Sequence, residues 1–382
     1  MKLDTYGRPI AGMQRSVIGR ITFDPFPDEE RQDFVLVLRS LQENHDIAGY
    51  AGVLIQETVD HTDNLFVPAV HSCGDLSHLS RGDVVYLQPT GHVRTLYRRE
   101  SRHNVIFATD HCNSLCLMCS QPPRDVDESG KMAEHLRLIS LMDPNTPELG
   151  ITGGEPTLLG NDFLRLISAC KEQLPNTSLH VLTNGRFFYY TEFTRNLADI
   201  NHPDLMLGIP LYSDMDSIHD HVVQARGAFN ETMIGLHNLG RHSVKVEIRV
   251  VIHRLTYQRL LALAEFIYRN LSFASHIALM GLEMMGFAIS NIDQLWIDPH
   301  DYRNELALAT DFLASRGMHV SIYNHQLCVV PRELWRFCRK SISDWKNLYL
   351  PVCDACGVKY DCGGFFSSSV NRNRVSKHLS PI

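Results

Sequence analysis

Residues 104–119 read NVIFATDHCNSLCLMC. Asn104 to Thr109 form a short apolar, β-favouring run, and the chain then turns through Asp110 and His111 into three cysteines, Cys112, Cys116 and Cys119. From this run onward, strand and helix patterns alternate. Strands are expected near 104 to 109, 147 to 152, 178 to 183, 204 to 211, 244 to 252 and 276 to 282. The segments between them carry amphipathic helical spacing, with Phe163, Leu164, Ile167 and Leu174 in the second and Leu260, Leu263, Ala264 and Ile267 in the fifth. Such alternation predicts an α/β fold with a parallel sheet and right-handed crossovers. Six units rather than eight predict an open, partial (β/α)6 barrel, TIM-like, with its active face at the C-terminal ends of the strands. Both Cys112 and Gly153 stand just past expected strand ends.

Outward from this barrel, assigned to residues 101–316, the chain changes character. Residues 1–100 hold short β-rich stretches at Phe34 to Leu38, Gly52 to Gln56 and Val84 to Gln88, which predict a small β-rich N-terminal domain. Pro89-Thr90-Gly91 between Val84 to Gln88 and His92 to Tyr97 is a hairpin signal. After a helix near Tyr302 to Ser315, residues 317–370 begin with a strand, Met318 to Tyr323, and continue as a cysteine-rich cap. Within it Glu333 to Lys340 reads as a helix, with Leu334, Trp335 and Phe337 marking it for packing. Residues 371–382 are polar and are expected as a flexible tail.

Hydrophobic residues make up 44% and charged residues 21%, which excludes the apolar-poor composition of a disordered chain. A net charge of -7 excludes a nucleic-acid scaffold held by a global positive field. Arg94, Arg98, Arg99, Arg102 and His103 make a local basic patch that reads as a solvated linker. No apolar run of about 18 residues and no signal-peptide pattern occurs, so a cytoplasmic location without membrane contact is expected. Ten cysteines in that compartment point to metal or redox chemistry rather than disulfides. Seven fall in two groups, and Cys73, Cys170 and Cys338 read as ordinary thiols. Signatures of zinc peptidases, P-loops and nucleophile elbows are absent.

Three thiolates close in sequence specify a metal before they specify which one. Structural zinc completes four protein ligands, here with His111 as a conceivable fourth, whereas three thiolates alone leave a coordination position open. A second pattern follows 34 residues after Cys119: Gly153-Gly154-Glu155-Pro156. Two glycines let backbone approach a ligand closely, Pro156 stiffens the exit, and backbone carbonyls with Glu155 can receive an ammonium group.

The pairing of Cys112, Cys116 and Cys119 with Gly153 to Pro156 resembles the radical S-adenosylmethionine (SAM) superfamily. The resemblance implies a [4Fe-4S] cluster on the three cysteines whose fourth iron is chelated by SAM. It implies reductive cleavage of SAM to methionine and a 5′-deoxyadenosyl radical that abstracts hydrogen from a substrate, with electrons from a flavodoxin- or ferredoxin-type donor. Met118 departs from the aromatic residue common before the third cysteine, and a thioether can still pack against a ring. By the same resemblance Asn184, Ser213 and Arg249 are candidate SAM contacts, Arg249 because its fork suits a carboxylate. Arg226 competes for that task, and Glu283 faces the expected cavity without a role.

Cys353, Cys356 and Cys362 form the dense part of a second metal site, completed by Cys328 or Cys338, with Cys328 preferred because it closes a strand-like segment. Four thiolates fit zinc as well as iron and sulfide. The segment resembles the auxiliary-cluster caps called SPASM or twitch domains, which implies one auxiliary [4Fe-4S] cluster. Over most of the chain the resemblance is to the radical SAM maturase of the His-Xaa-Ser systems, carried by residues 116–123 (CLMCSQPP), 341–346 (SISDWK) and 362–366 (CGGFF). It implies modification of a small peptide or protein rich in His-Xaa-Ser repeats, and a sister radical SAM maturase as partner. Two other functions compete: radical SAM chemistry on a small nucleotide or cofactor precursor, and a non-catalytic metal or redox-sensing protein.

Overall fold

Val, Ile and Leu alternate through the N-terminal strands with few charges, so these segments have an apolar face to bury. In the computed structural model, which describes residues 3–10, 13–41, 46–59, 66–341, 346–372 and 374–382, they form an eight-stranded mixed sheet. Its strands are β1 (Asp4–Tyr6), β2 (Arg8–Pro9), β3 (Val17–Thr22), β4 (Phe34–Leu38), β5 (Gly52–Ile55), β6 (Ala69–His71), β7 (Val84–Leu87) and β8 (His92–Tyr97). The spatial order is β1-β8-β7-β3-β4-β5-β6-β2. The two edge strands, β1 and β2, are separated in sequence by Gly7 alone, so the sheet has to curl until its edges meet. A Cβ on Gly7 would lie 2.5 Å from the His71 carbonyl oxygen, which is why glycine stands at that closure. The β7–β8 hairpin forms as the sequence predicts, antiparallel, with Gln88 N–H donating to the His92 carbonyl at 2.9 Å. Val35, Val53, Leu54, Ile55, Val85 and Leu87 fill its core.

A second sheet begins at residue 104. Its strands are β9 (Asn104–Phe107), β10 (Glu148–Thr152), β11 (Ser178–Leu182), β12 (Leu205–Pro210), β13 (Lys245–Ile252), β14 (His276–Gly281), β15 (Val320–Tyr323) and β16 (Cys338–Arg339), in unbroken spatial order. Between and after them lie α1 (Lys131–Leu141), α2 (Asn161–Gln173), α3 (Thr191–Ile200), α4 (Asp216–Val223), α5 (Ala228–Arg241), α6 (Leu260–Asn270), α7 (Phe287–Ser290), α8 (Ile292–Leu295), α9 (Arg303–Ser315) and α10 (Ser367–Val370). The pairs from β12 through β16 run parallel. The fold is the expected parallel, partial barrel of alternating strands and helices with a β-rich N-terminal region.

Two details differ from the expectation. The strand assigned to the cap pairs in parallel with β14 and is the seventh strand of the barrel sheet, because Val320 and Ile322 carry the same buried, apolar pattern as the strands before it. The helix expected over Glu333 to Lys340 is a 3-10 turn, Arg332–Phe337, after which Cys338 and Arg339 pair as the eighth strand. By contact the chain forms two units, Met1–Ile106 with Glu128–Gly150 and Arg165–Leu179, and Phe107–Asp127 with Ile151–Leu164 and His180–Ile382. They interleave along the chain, whereas the sequence reading set boundaries at 100, 316 and 370. No helix among the described residues is long and apolar enough to cross a membrane.

Candidate functional site

The two glycines of Gly153-Gly154 bring the end of β10 against the start of the cysteine loop. Gly154 N–H donates to the Thr109 carbonyl at 2.7 Å, and Glu155 N–H to the His111 carbonyl at 2.8 Å. A Cβ at Gly154 would stand 2.1 Å from the His111 oxygen and one at Gly153 2.5 Å from the Thr109 oxygen, so no larger residue permits this approach. The loop itself is pinned from three sides. Leu115 and Leu117 donate to the carbonyls of Val223 and Val222 at the end of α4. Asn291 Nδ2 donates to the Leu117 carbonyl at 2.9 Å. Past β11, Asn184 Nδ2 reaches Asn113 Oδ1 and Arg186 reaches both the Asn113 carbonyl and Ser114 Oγ, while Glu231 holds the guanidinium at 2.6 Å.

Cys112, Cys116 and Cys119 on this loop are each half-buried. Burial pushes the Cys112 thiol up to about 11 and Cys116 up to about 12, and the charge that each neighbouring sulfur would carry adds to the effect. Cys119 is raised too, again by burial. Thiols that resist ionisation in water-free surroundings and oppose one another become stable thiolates when a metal centre supplies positive charge. Among the described residues, His300, Asp301 and His378 are the one group of three ligating side chains with all donor atoms within 4.8 Å of one another. Met118 is buried in an apolar group with Tyr212, Ala288 and Leu295 beneath the loop.

Glu155 is fully committed within the chain. Its Oε1 accepts from Thr157 N (3.0 Å), Thr157 Oγ1 (2.6 Å) and Thr183 Oγ1 (2.6 Å), and its Oε2 from Asn184 N (2.6 Å). The carboxylate therefore ties the ends of β10 and β11 together. Pro156 starts a short 3-10 turn behind it.

Ser213 is buried, with its oxygen accepting from Met215 N at 3.1 Å and its hydroxyl directed at Asp214. Asp214 in turn holds Arg259 through both carboxylate oxygens. Arg249 lies on β13 and donates to Glu247 Oε1 at 2.5 Å. Glu247 also accepts from His276 Nδ1 at 2.7 Å and stands 3.5 Å from His180 Nε2, and His276 Nε2 continues to Ser321 Oγ at 2.9 Å. Burial opposes ionisation of Glu247, yet the hydrogen bonds of His180 and His276 and the charge of Arg249 outweigh it and hold the carboxyl well below the usual carboxylate range. Gly208 makes room for this row: a Cβ there would lie 2.9 Å from Arg249 Cδ and 3.0 Å from His180 Nε2. Arg186, Glu247, His180 and His276 were not singled out by sequence. A signal existed, because Glu247, Arg249 and Val251 alternate with Val246, Ile248 and Val250 and so share one face of β13. His253, just past β13, is buried with both ring nitrogens lacking a protein partner, and burial lowers it to about 4. Among the described residues no hydrogen bond or ion pair joins Arg226 to this constellation, and Glu283 pairs with Lys346 at 3.3 Å.

The second group converges as well. Cys328, Cys353, Cys356 and Cys362 line one cavity together with Leu327 and Phe365. Leu327 N–H points at Cys362 Sγ from 3.5 Å. Cys338 lies outside this lining, and its thiol donates to the Leu334 carbonyl at 3.6 Å. The donor set fits a four-thiolate centre. Residues 342–345 of the SISDWK segment lie outside the described residues.

Residues 106–267 match the family model "Radical SAM superfamily". No curated protein matches the chain. Among solved structures, the chain is similar to Streptococcus suis SuiB bound to S-adenosylmethionine, at 16% identity and TM-score 0.49, over 66% of this chain and 56% of that one. It is similar to anSMEcpe with bound AdoMet at 17% identity and TM-score 0.45, over 57% and 62%. It is also similar to the coproporphyrinogen III oxidase HemN of Escherichia coli at 13% identity and TM-score 0.43, over 58% and 54%. The chain thus spans little more than half the length of SuiB. From the end of β9 into α6, with the cysteine loop and the Gly153-Gly154 turn inside it, the chain carries a radical SAM superfamily domain.

Proposed function

We propose that this protein is a radical SAM enzyme that modifies a small peptide or protein, similar to the maturases of the His-Xaa-Ser systems. The observation that carries the reading is the seating of the loop that bears Cys112, Cys116 and Cys119 against Gly153 and Gly154, where eight backbone and side-chain hydrogen bonds hold it. Cys112, Cys116 and Cys119 would hold three irons of a [4Fe-4S] cluster. When bound with SAM, such a cluster supplies one electron to the sulfonium and thereby a carbon radical able to take a hydrogen atom. The Gly153-Gly154 backbone receives the ammonium of SAM, with Glu155 and Pro156 fixing the path of that backbone. Asn184 holds Asn113 of the loop through Nδ2 and accepts from Arg186 N through Oδ1, which leaves the second N–H of its amide for the ligand. Arg249 is the cation for the carboxylate, kept extended along β13 by Glu247. Ser213 positions the turn after β12 through Met215 and Asp214.

Cys328, Cys353, Cys356 and Cys362 would hold one auxiliary [4Fe-4S] cluster. Four thiolates saturate it, which favours a protein substrate over a small precursor that would need an open iron. The resemblance at 116–123 and 362–366 supports a His-Xaa-Ser repeat protein as substrate, a sister maturase as partner and a flavodoxin- or ferredoxin-type donor. Anaerobic reconstitution with iron, sulfide, dithionite and SAM tests the reading. Formation of 5′-deoxyadenosine that disappears on Cys112→Ala, Cys116→Ala or Cys119→Ala is expected, and its absence from the unaltered protein overturns it.

A further inference from the structure

Residues 374–382, expected to fray, are docked at both ends. Buried Asp298 accepts Lys377 N–H at 2.9 Å through one carboxylate oxygen and His300 N–H at 3.0 Å through the other. The rings of His300 and His378 stack with centroids 3.6 Å apart and planes 12° from parallel. Farther on, Gly357 N–H, next to Cys356, donates to the Ile382 carbonyl oxygen at 2.7 Å. Between these anchors Leu379, Ser380 and Pro381 line the cavity of the four cysteines.

We infer that residues 376–382 are a strap closing the four-cysteine cavity. The inference rests on the reading of that cavity as an auxiliary cluster site. Leu379 and Pro381 place apolar side chains in the cavity lining while Ser380 and Pro381 are exposed to solvent, so the strap stands between the cavity and water. The clamp at Asp298 and the histidine stack lie well outside the cavity lining, so they fix the strap without touching the thiols.

The test uses the full chain with Cys112, Cys116 and Cys119 changed to Ala, so that all iron reports on the second site. We expect about four irons per chain after reconstitution. Removing residues 376–382 should make the visible absorbance bleach several-fold faster in air, or abolish iron uptake. Asp298→Asn, which loosens the clamp, should bleach at an intermediate rate. Unchanged bleaching in the shortened chain overturns the strap while leaving the cluster reading intact. Failure of the triple variant to take up iron overturns both, whereas 5′-deoxyadenosine formation by the unaltered protein still reports on the first site alone.

Discussion

The backbone N–H of Asn184, at the exit of β11, donates to Oε2 of Glu155, at the exit of β10, over 2.6 Å. One buried carboxylate thus fixes two neighbouring strand ends, and Asn184 uses its side chain to hold the cysteine loop through Asn113. Loop, glycine turn and third strand are thus tied together by hydrogen bonds.

Replacing Glu155 by Gln exchanges one acceptor oxygen for an NH2 group that faces donors, since all four partners of Glu155 donate to it. The expected loss is about 2–3 kcal/mol of stability, from leaving buried donors unpaired. Urea unfolding of the apoprotein measures it. A loss below about 0.5 kcal/mol would show that the strand ends are held by something else.

Gly154→Ala places a methyl 2.1 Å from the His111 oxygen, backbone against backbone, where no rotamer change helps. The turn must then retreat from the cysteine loop. Iron uptake at the first site should fall by about tenfold or more, with far-ultraviolet circular dichroism retained. The neighbouring exposed position Leu158, changed to Ala, serves as the silent control.

Arg186 spans from Glu231 to the Asn113 carbonyl and Ser114 Oγ. Lys cannot make all three contacts, because it lacks the planar fork. Arg186→Lys should weaken first-site iron binding by about 10- to 100-fold while the melting temperature moves little. Equal iron affinity in a chelator competition would rule out a clamping role.

Glu247 supplies a pH dependence whose sign is fixed by its partners. Its folded-state value lies below its unfolded one, so the unfolded chain binds the extra proton. The stabilisation is complete above the ordinary glutamate value of about 4.3 and is lost as pH falls below it. Glu247→Gln should lower stability at neutral pH by about 3 kcal/mol, by leaving Arg249 without its counter-charge, and flatten the acid limb of the stability curve. Denaturant titrations at neutral and acidic pH give both quantities, and parallel curves for the two proteins would contradict the assignment.

Cys328→Ser and Cys338→Ser separate two thiols that sequence could not rank by geometry. Cys338 is outside the cavity and donates to Leu334, so its loss should leave second-site iron unchanged. Cys328 is in the lining, and its loss should remove that iron or leave a labile centre. Iron and sulfide counts after gel filtration decide, and the reverse pattern would exchange their roles.

The order of six strands, the amphipathic helices and the two cysteine groups were legible in the chain, because strand alternation, helical spacing and thiol chemistry are local properties of residue types. The sheet that the seventh strand joins and the existence of the eighth strand were hidden. Val320–Tyr323 and Cys338–Arg339 are too short to announce which sheet they join, and only pairing with β14 and with each other assigns them. Likewise Glu155 reads as a ligand in a glycine-rich turn until Thr183 and Asn184, 28 and 29 residues away, are seen to use up its oxygens. The buried row from His180 through Glu247 to Ser321 draws on four segments, and its members qualify as partners only after Gly208 lets them approach. The tail looked polar and loose because Asp298 and Gly357, which hold it, lie far away in sequence. Composition and spacing determined what chemistry the chain can hold, since those depend on neighbours along the backbone. Long-range hydrogen bonding decided which residues are free to perform it, since a donor or acceptor is spent by whatever the fold brings within 3 Å of it.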